Sequence, residues 1–349
     1  SLKDLLSFCL NKLGPTTKST QSFNNKFGVP LSLFNVKKND KFAVLEAGMD
    51  KAGEIANLTK IIKPNFGIIT NISYAHIKNF KSLDGIARAK SEIINNIVEG
   101  GKIILNQDDK YFNFLKKIAL KKNIHVISFS KKNTFSDIFV KKITTNKTNY
   151  KILINIKNLT KGFLIKKNLY PYLYNILASI AVISEFYDLK NISEKLFYNF
   201  KLPFSRGDIT KVRLKNKVIY LTDESYNSNP LSLKFAIENF NKQNQNNKYL
   251  ILGDMLELGK FSKKLHKKIS KIINKTSIKK VYVVGKHIKE TFYSIDKKKR
   301  GRILLDKKEI YQLIKNDLNN NDHLMIKASN STGLNSIASN IKKGKIYAI

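Results

Sequence analysis

The sequence predicts an α/β protein of two domains: a central parallel-sheet domain with an antiparallel appendage, and a C-terminal Rossmann-like, doubly wound domain. Two observations support this fold class. Short apolar runs without strict alternation, typical of strands buried on both faces, recur between segments of helical periodicity. In addition, 349 residues with 42% hydrophobic and 26% charged residues suffice for two cores in a globular enzyme.

The first predicted domain covers residues 1–204. It begins with an amphipathic helix and ends with a long apolar helix, and four apolar runs between them predict buried strands. Alternating runs then predict the antiparallel appendage. In chain order the elements are a helix at 1–13, strands at 42–45, 66–70, 102–105 and 124–129, the appendage at 135–166, and a helix at 170–187.

The second predicted domain covers residues 205–349 and follows a junction at KLPFSRG, residues 201–207. Apolar runs alternate again with helical segments, which is typical of a doubly wound domain. The glycine pattern of dinucleotide-binding folds does not occur, so the sequence does not support dinucleotide binding. Strands are predicted at 218–222, 249–252, 280–284 and 323–326.

The formal net charge of +38 raises the question of nucleic-acid binding. Lysine is scattered through every segment rather than collected in a stripe with interleaved aromatics, so we interpret the charge as a compositional bias that would still attract anionic substrates. The single cysteine, Cys9, excludes an internal disulfide and fits a reducing compartment. No apolar run is long enough to cross a membrane, so we expect a cytoplasmic protein without membrane insertion.

Polar residues follow two of the predicted strands at points suited to ligand binding. Glu46 comes directly after the strand at 42–45, and Asn71 and His76 follow the strand at 66–70. Ligands gather at the carboxyl ends of parallel strands, where an acid is well placed to hold a metal ion. Each residue taken singly has a simpler explanation as a solvated or core side chain, and their combination is what indicates a site.

Lys90 occupies an unusual place on a predicted helix that begins after Ser82 and runs to about Ile97. It lies in the apolar stripe, four residues after Ile86 and three before Ile93. An inward lysine has a lowered pKa, and its neutral amine would be able to add carbon dioxide and form a carbamate. The spacing alone favours the simpler alternative, in which the stem is buried and the ammonium reaches solvent.

Four motifs together resemble the Mur ligase family across most of the chain. The longest, EAGMDKAGEIANLTKIIKPNFGIITNISYAHIKNFKSLDGIARAKSEI at 46–93, is similar to the central P-loop-type domain of that family. The others are FNNKFGVPLSL at 23–33, DESYNSNPLSL at 223–233 and LGDMLELG at 252–259. The resemblance is strongest to the branch that adds D-alanyl-D-alanine to a UDP-N-acetylmuramoyl tripeptide, and it implies an ATP-dependent amide ligase acting through an acyl phosphate.

The resemblance also implies roles for individual residues. Glu46 would bind one Mg²⁺, His76 a second, and Lys90 would be the carbamylated lysine. Further residues would contact the two kinds of small-molecule substrate. Those assigned to ATP are Asn71, Arg206, Asp223 and Asn227, and those assigned to the other substrates are Asn24, Asn25, Tyr226, Asp254 and Glu257.

The sequence departs from the family pattern at several points. A phosphate-binding loop of the form G-x-x-x-x-G-K-[ST] does not occur. We therefore expect a fragment of a longer ligase, weakly active or inactive by itself. Other departures are Lys26 in place of an acid, Pro171 and Tyr172 in place of a His-Asn pair, Ser205 in place of a glycine, and Ala328 in the usual Lys-Gly-Ser motif.

Three alternatives stay open from the sequence. Another ligase of the same superfamily, such as a folylpolyglutamate synthase, would share the central chemistry and would be separated by its acceptor. A basic nucleic-acid-binding protein would show salt-sensitive binding to unrelated duplexes. A non-catalytic scaffold is disfavoured because Glu46, His76 and Lys90 occur together. We expect a monomer that binds small molecules and no nucleic acid.

Overall fold

The computed structural model describes residues 1–146, 148–214, 216–243 and 247–345. The chain divides into two compact units. The first unit comprises residues 1–73 and 79–201, and the second comprises residues 74–78 and 202–349. The short segment 74–78, which contains His76, is therefore grouped with the second unit although the chain on either side of it belongs to the first.

The main sheet of the first unit has six described strands, β3 to β8, in sequential order. The strands from β3 to β6 pair in parallel, whereas β6, β7 and β8 pair antiparallel. The predicted appendage is confirmed as antiparallel, but it continues the parallel sheet, because Phe129 lies opposite Ile138. The strands are β3 (Phe66–Ile69), β4 (Lys102–Asn106), β5 (His125–Ser130), β6 (Ile138–Thr145), β7 (Asn149–Ile156) and β8 (Leu159–Lys166).

A second, two-stranded sheet in this unit pairs β1 (Thr16–Lys18) in parallel with β2 (Phe42–Val44). The sequence predicted a strand at 42–45 buried on both faces, and this expectation is wrong. Val44 is buried but Ala43 is exposed, because β2 belongs to this small sheet rather than to the interior of the six-stranded one. Glu46 follows two residues after β2 ends.

The helices of the first unit confirm most of the predicted pattern. The Ser82 side chain accepts a hydrogen bond from the Gly85 N–H and so begins α4, as the sequence indicates. This helix ends at Ser91 and continues as a 3₁₀ turn. The apolar helix predicted at 170–187 begins later, since Pro171 lies in a preceding 3₁₀ turn. The helices are α1 (Leu2–Leu10), α2 (Gly28–Phe34), α3 (Glu54–Ile62), α4 (Leu83–Ser91), α5 (Phe112–Lys121) and α6 (Leu173–Ile183).

The second unit contains a six-stranded sheet in the order β13, β12, β11, β14, β10, β9, in which β9 alone among the described strands runs antiparallel. The doubly wound prediction is confirmed. Its two outer strands, β9 and β13, were not predicted because charged residues interrupt their apolar runs. The strands are β9 (Asp208–Arg213), β10 (Val218–Glu224), β11 (Lys248–Gly253), β12 (Lys280–Val284), β13 (Arg300–Leu304) and β14 (His323–Lys327).

Four of the five described helices connect successive strands, and the fifth follows β14. Leu221, Ile251 and Ile326 belong to a buried core that also includes residues of the last two of these helices. The strand ends that face the loops after β10, β11 and β14 lie at one edge of the sheet, since these three strands are parallel neighbours. Within the described residues, no helix is both long enough and apolar enough to span a lipid bilayer. The helices are α7 (Pro230–Asn241), α8 (Ser262–Asn274), α9 (Lys289–Ser294), α10 (Lys307–Asn316) and α11 (Leu334–Lys342).

His323 at the start of β14 is fully buried. Its Nε2 lies 2.7 Å from the Thr222 hydroxyl, and its ring packs edge-on against Phe240. Burial, with a smaller contribution from the Lys248 charge, lowers the pKa of His323 from its ordinary value of 6.5 to about 4. The folded protein therefore holds this ring neutral under conditions in which the unfolded chain protonates it.

The buried His323 predicts a loss of stability in mild acid. Between pH 6.5 and 4 the unfolded state binds a proton that the folded state excludes, so this group alone lowers the free energy of unfolding by about 2 kcal/mol from pH 7 to pH 5. The measurement is urea unfolding at both pH values. His323→Asn should reduce the pH dependence by about that amount, whereas His125→Asn, which alters an exposed ring, should leave it unchanged. An equal pH dependence in all three proteins would contradict the prediction.

Candidate functional site

Glu46 is held by the loop that follows β1. Its backbone N–H donates to the hydroxyl of the fully buried Ser19 at 3.0 Å, and its Oε1 accepts from the Asn24 amide at 3.0 Å. The Asn24 carbonyl in turn accepts from the Gly48 N–H at 2.7 Å. A Cβ at Gly48 would lie 2.8 Å from the Asn24 amide, so this close approach requires glycine. Asn24 therefore orients the Glu46 carboxylate.

The loop that contains Ser19 is fixed from α1 by a buried lysine. The Lys3 ammonium donates to the Ser19 carbonyl at 2.7 Å and also contacts the Gln21 carbonyl. Lys3 is 6% exposed, and a buried ammonium is tolerated only where such acceptors satisfy it. Lys3 and Ser19 were missed from the sequence because neither belongs to a residue type or spacing that marks a site.

Asn25, the neighbour of Asn24, caps a turn. Its side-chain oxygen accepts from the backbone N–H groups of Phe27 and Gly28, at 3.1 and 2.9 Å, immediately before α2. This is the turn-forming role that asparagine commonly has in sequences of this kind. The predicted contact between Asn25 and a substrate stays a prediction.

Lys90 is partly buried, and its ammonium donates to the Asn71 carbonyl at 2.9 Å. The simpler alternative, in which the ammonium reaches bulk solvent, is therefore wrong. Burial lowers the pKa of Lys90, and the negative charge of Asp109 opposes that shift. Asp109 also accepts the Ile72 N–H at 2.8 Å, which fixes the backbone just after Asn71. Asp109 was missed, although it follows a predicted strand as Glu46 does.

His76 contacts Glu257, and both belong to the second unit. The His76 Nδ1 lies 2.7 Å from the Glu257 Oε2, and the Lys78 N–H donates to the Glu257 carbonyl at 2.8 Å. Both residues hold left-handed backbone conformations, with φ of 58° at His76 and 61° at Glu257. Such conformations are uncommon outside glycine and concentrate at functional sites. Imidazoles that bind metal ions usually have a carboxylate at the other ring nitrogen, and the pair has this form.

Asp223, near the end of β10, is fully buried. Its carboxylate accepts from the hydroxyls of Ser205 and Ser225, at 2.8 and 2.5 Å, and forms an ion pair with Lys342 at 2.7 Å. Ser205 has a φ of 57°, which accounts for a glycine at this position in the family pattern, and its bond to Asp223 offsets the strain. In this arrangement Asp223 organises the junction segment, and the predicted contact with ATP stays a prediction.

The remaining nucleotide candidates are Arg206, in the junction before β9, and Asn227, in the loop after β10. The Arg206 guanidinium stacks over the Tyr226 ring at 4.3 Å, while the Asn227 side chain is exposed. Asn229 begins α7 with a capping box that involves Ser232, and Pro230 occupies the first turn of the helix. Helix initiation therefore explains the Asn229-Pro230 pair of the motif. Arg206, stacked on Tyr226, supplies a positive charge near this loop.

Asp254 after β11 is buried and holds the loop that follows β12. Its two carboxylate oxygens accept from the N–H groups of Ile288 and Lys286, at 2.7 and 3.0 Å. Gly285 has a φ of 127°, and a Cβ there would lie 2.6 Å from the Asp254 carboxyl carbon. The next residue, Met255, donates to the buried His266 ring at 3.0 Å. These bonds give Asp254 a structural role, and its contact with a substrate stays a prediction.

The predicted site residues therefore meet in four groups. Within the described residues the contacts join Glu46 to Asn24, Lys90 to Asn71, His76 to Glu257, and Arg206 to Tyr226. The convergence of Glu46, His76 and Lys90 on one magnesium site stays a prediction. Residues that support these groups and were not predicted are Lys3, Ser19, Asp109, Glu224, Lys327 and Lys342.

Comparison with known families gives two matches that lie in succession along the chain. Residues 1–183 match the Mur ligase middle domain, and residues 210–330 match the Mur ligase, glutamate ligase domain. Together these matches include every predicted site residue except Arg206.

Individual relatives agree with the family matches. The chain is 35% identical over 350 residues to the UDP-N-acetylmuramoyl-tripeptide–D-alanyl-D-alanine ligase of Buchnera aphidicola subsp. Baizongia pistaciae, covering 98% of this chain and 73% of the relative. It is 28% identical to the Bacillus subtilis enzyme of the same name, covering 97% of this chain and 72% of the relative.

The fold matches solved structures at similar coverage. The crystal structure of MurF from Acinetobacter baumannii aligns with a TM-score of 0.85 and 24% identity, covering 98% of this chain and 74% of that one. MurF ligase from Thermotoga maritima in complex with ADP aligns with a TM-score of 0.85 and 22% identity, covering 98% and 77%. On the family matches and the 35% identity, this chain belongs to the Mur ligase family.

Proposed function

We propose that this protein is an ATP-dependent amide ligase that adds D-alanyl-D-alanine to a UDP-N-acetylmuramoyl tripeptide during peptidoglycan precursor synthesis. The observation that carries the proposal is the 35% identity, across 98% of the chain, to an enzyme named for that activity. Relatives of the same name from other bacteria, at 24 to 30% identity, add support. We place the reaction in the cytoplasm, where ATP is available, and propose that the protein acts as a monomer.

The proposed reaction has two steps. A carboxylate oxygen of the tripeptide attacks the γ-phosphorus of ATP, so that an acyl phosphate forms and ADP leaves. The dipeptide amine then attacks the acyl carbon, phosphate leaves, and the amine nitrogen loses a proton. Both steps bring negative charge together, so the site needs cations that are already in place. Bound Mg²⁺ would supply that charge neutralisation. The Thermotoga maritima relative, solved as a complex with ADP, supports nucleotide binding by this fold.

The residues present fit a magnesium site. We assign metal binding to Glu46, whose carboxylate is a hard oxygen ligand already oriented by Asn24, and to His76, whose Nδ1 is held by Glu257. The hydrogen bonds of both side chains fix their orientation, as ligands to a metal require. Imidazole is a less usual ligand for Mg²⁺ than carboxylate, so the carboxylate beside it is the feature that supports this assignment.

We assign Lys90 as a carbamylated lysine. Its lowered pKa raises the fraction of neutral amine, whose nitrogen lone pair attacks the carbon of CO₂. An N–C bond forms, the nitrogen loses a proton, and the side chain becomes an anion that fits next to a divalent cation. The bond from Lys90 to the Asn71 carbonyl keeps the nitrogen in a fixed position before this reaction.

We assign nucleotide binding to Asn71, Arg206 and Asn227, with Asp223 supporting them through Ser205 and Ser225. Arg206 supplies a cation for phosphate groups, and its stacking on Tyr226 limits its motion. The other substrates are assigned to a further set of residues, which come from both units. These are Asn24, Asn25, Tyr226, Asp254 and Glu257.

The function is tested with the protein as its gene encodes it. ATP, Mg²⁺, the UDP-N-acetylmuramoyl tripeptide and D-alanyl-D-alanine should yield ADP, phosphate and the pentapeptide product in equal amounts. Omission of either the tripeptide or the dipeptide should abolish product formation. Parallel reactions with single amino acids and with a folate and glutamate distinguish the other ligases of the superfamily. Product formation with folate and none with the dipeptide would overturn the proposal.

Lys90→Ala should lower kcat by about 100-fold or more, because it removes a charge placed for the transition state. Small carboxylates such as formate should restore part of the activity if a carbamate is needed. The native protein in ¹³C-bicarbonate should give a carbamate carbon signal that the variant lacks. Lys60→Ala, at an exposed lysine of α3, serves as the control and should keep full activity. A fully active Lys90→Ala protein would refute the assignment.

Glu257→Gln keeps the size of the side chain but removes the charge that orients His76. Loss of such a carboxylate usually weakens metal affinity by about 10- to 100-fold, so the Mg²⁺ concentration for half-maximal activity should rise, whether or not the predicted substrate contact of Glu257 also changes the KM for the dipeptide. Glu99→Gln alters an exposed acid and should leave the magnesium dependence unchanged. If the dipeptide KM rises instead, Glu257 contacts the substrate and does not act through His76.

A further inference from the structure

Lys327, the last residue of β14, is a buried cation to which no role has yet been assigned. It lies opposite Glu224, the last residue of β10, in the parallel register of these two neighbouring strands. The Lys327 side chain is 1% exposed. Because an ammonium group without partners is strongly disfavoured in such a place, the atoms around it indicate why it is there.

Three oxygens accept hydrogen bonds from the Lys327 ammonium: two belong to Glu224 at the end of β10, and one belongs to Asn227 in the loop that follows. The ammonium donates to the Asn227 carbonyl at 2.9 Å, to the Glu224 carboxylate at 3.3 Å and to the Glu224 carbonyl at 3.4 Å. An ammonium has three N–H donors, which matches these three acceptors. One side chain thus joins the first and fourth residues of the segment 224–227.

The segment just after β14 makes a second hydrogen bond to the same loop. The Ser329 hydroxyl donates to the Ser228 carbonyl at 3.2 Å, one residue beyond the Asn227 carbonyl that Lys327 binds. Asn229 then begins α7. The conformation of residues 224–229 is therefore set by side chains from a neighbouring strand and by the start of a helix.

The loop that Lys327 shapes contains the nucleotide candidate Asn227 and the Tyr226 ring that contacts the candidate Arg206. Tyr226 lies under the Arg206 guanidinium, and the Asn227 side chain is exposed while its carbonyl is bound to Lys327. Burial lowers the pKa of Lys327, and the negative charges of Glu224 and Asp223 oppose that shift. A change in the backbone at Asn227 would turn its side chain and move Tyr226 relative to Arg206.

We propose that Lys327 is a positioning residue for nucleotide binding: by binding the carbonyls of Glu224 and Asn227, it fixes the loop that presents Asn227 to ATP and whose Tyr226 ring holds Arg206 in place. The choice of ATP as the ligand rests on the proposed function. The ordering of residues 224–229 by Lys327 does not depend on it. Lys327 is buried and acts through the loop.

The test compares Lys327→Met with Lys299→Met in the full-length protein. Lys299 is a matched control, because it is a buried lysine of the same unit, 7% exposed, whose ammonium binds the carbonyls of Thr276 and Ile278. Both substitutions remove a buried ammonium of similar exposure. Lys327→Arg keeps several donors and serves as the conservative variant.

We expect Lys327→Met to weaken ATP binding at least tenfold, measured by calorimetric titration with Mg²⁺ and ATP, and to leave the KM for D-alanyl-D-alanine within twofold. Lys327→Arg should recover part of the affinity. Amide hydrogen exchange should accelerate in residues 224–229 of Lys327→Met and, to a smaller extent, of Lys327→Arg. Lys299→Met should lower the thermal midpoint without changing ATP affinity or exchange in that loop.

Two outcomes are distinguishable. If the unmodified protein binds no ATP, the proposed function fails, and faster exchange in Lys327→Met would then show that Lys327 orders the loop without serving a nucleotide. If the unmodified protein binds ATP and Lys327→Met binds it equally well with unchanged exchange, the inference about Lys327 is wrong. If Lys327→Met does not fold, ATP affinity and amide exchange are compared between Lys327→Arg and the unmodified protein. Arginine changes the donor geometry, so both quantities must change if the hydrogen bonds from residue 327 order the loop.

Discussion

Donation from buried ammonium groups to main-chain carbonyls is the interaction on which the candidate site depends. Lys3 binds the Ser19 carbonyl, Lys90 the Asn71 carbonyl, and Lys327 the carbonyls of Glu224 and Asn227. A hydrogen bond to a charged group contributes about 1.5–3 kcal/mol, and a carbonyl that loses its partner in the interior costs a similar amount. Loops at the ends of strands lack sheet partners, and these lysines supply the missing ones. The carboxylates and amides expected to bind ligands are therefore presented on ordered backbone.

Carboxylates in both units order loops by accepting hydrogen bonds, whereas the lysines do so by donating them. Asp254 accepts the N–H groups of Lys286 and Ile288, and Asp109 accepts the Ile72 N–H, so each fixes a loop through its donors. Asp223 connects side chains from three parts of the chain, including Lys342 on the last described helix. Acids at strand ends thus divide into two kinds. Asp223 and Asp254 are buried and fully engaged with the protein, whereas Glu46 and Glu257 retain solvent exposure that a ligand requires.

Much of the fold followed from local patterns, and its exceptions have physical causes. The α/β alternation, the doubly wound second unit and the Ser82 cap were predictable, because periodicity and capping depend on neighbouring residues. The exposure of Ala43 was not predictable, because it depends on which strand β2 pairs with, and strand pairing depends on residues distant in the sequence. The residue types of the candidate site were also predictable. The direction of the Lys90 side chain was not predictable, because a lysine in an apolar stripe looks the same in sequence whether its ammonium reaches solvent or a carbonyl.

The backbone at His76 and Glu257 limits which amino acids these two positions can accommodate. Steric contact between Cβ and the neighbouring peptide groups disfavours positive φ for most residues, and most strongly for branched ones, whereas glycine and asparagine tolerate it. Valine or isoleucine at either position would distort the chain even if the lost side chain had no task. Backbone geometry alone therefore limits the amino acids that these two positions accept. A mutational scan of the two loops would show that β-branched residues are not tolerated there, independently of any effect on catalysis.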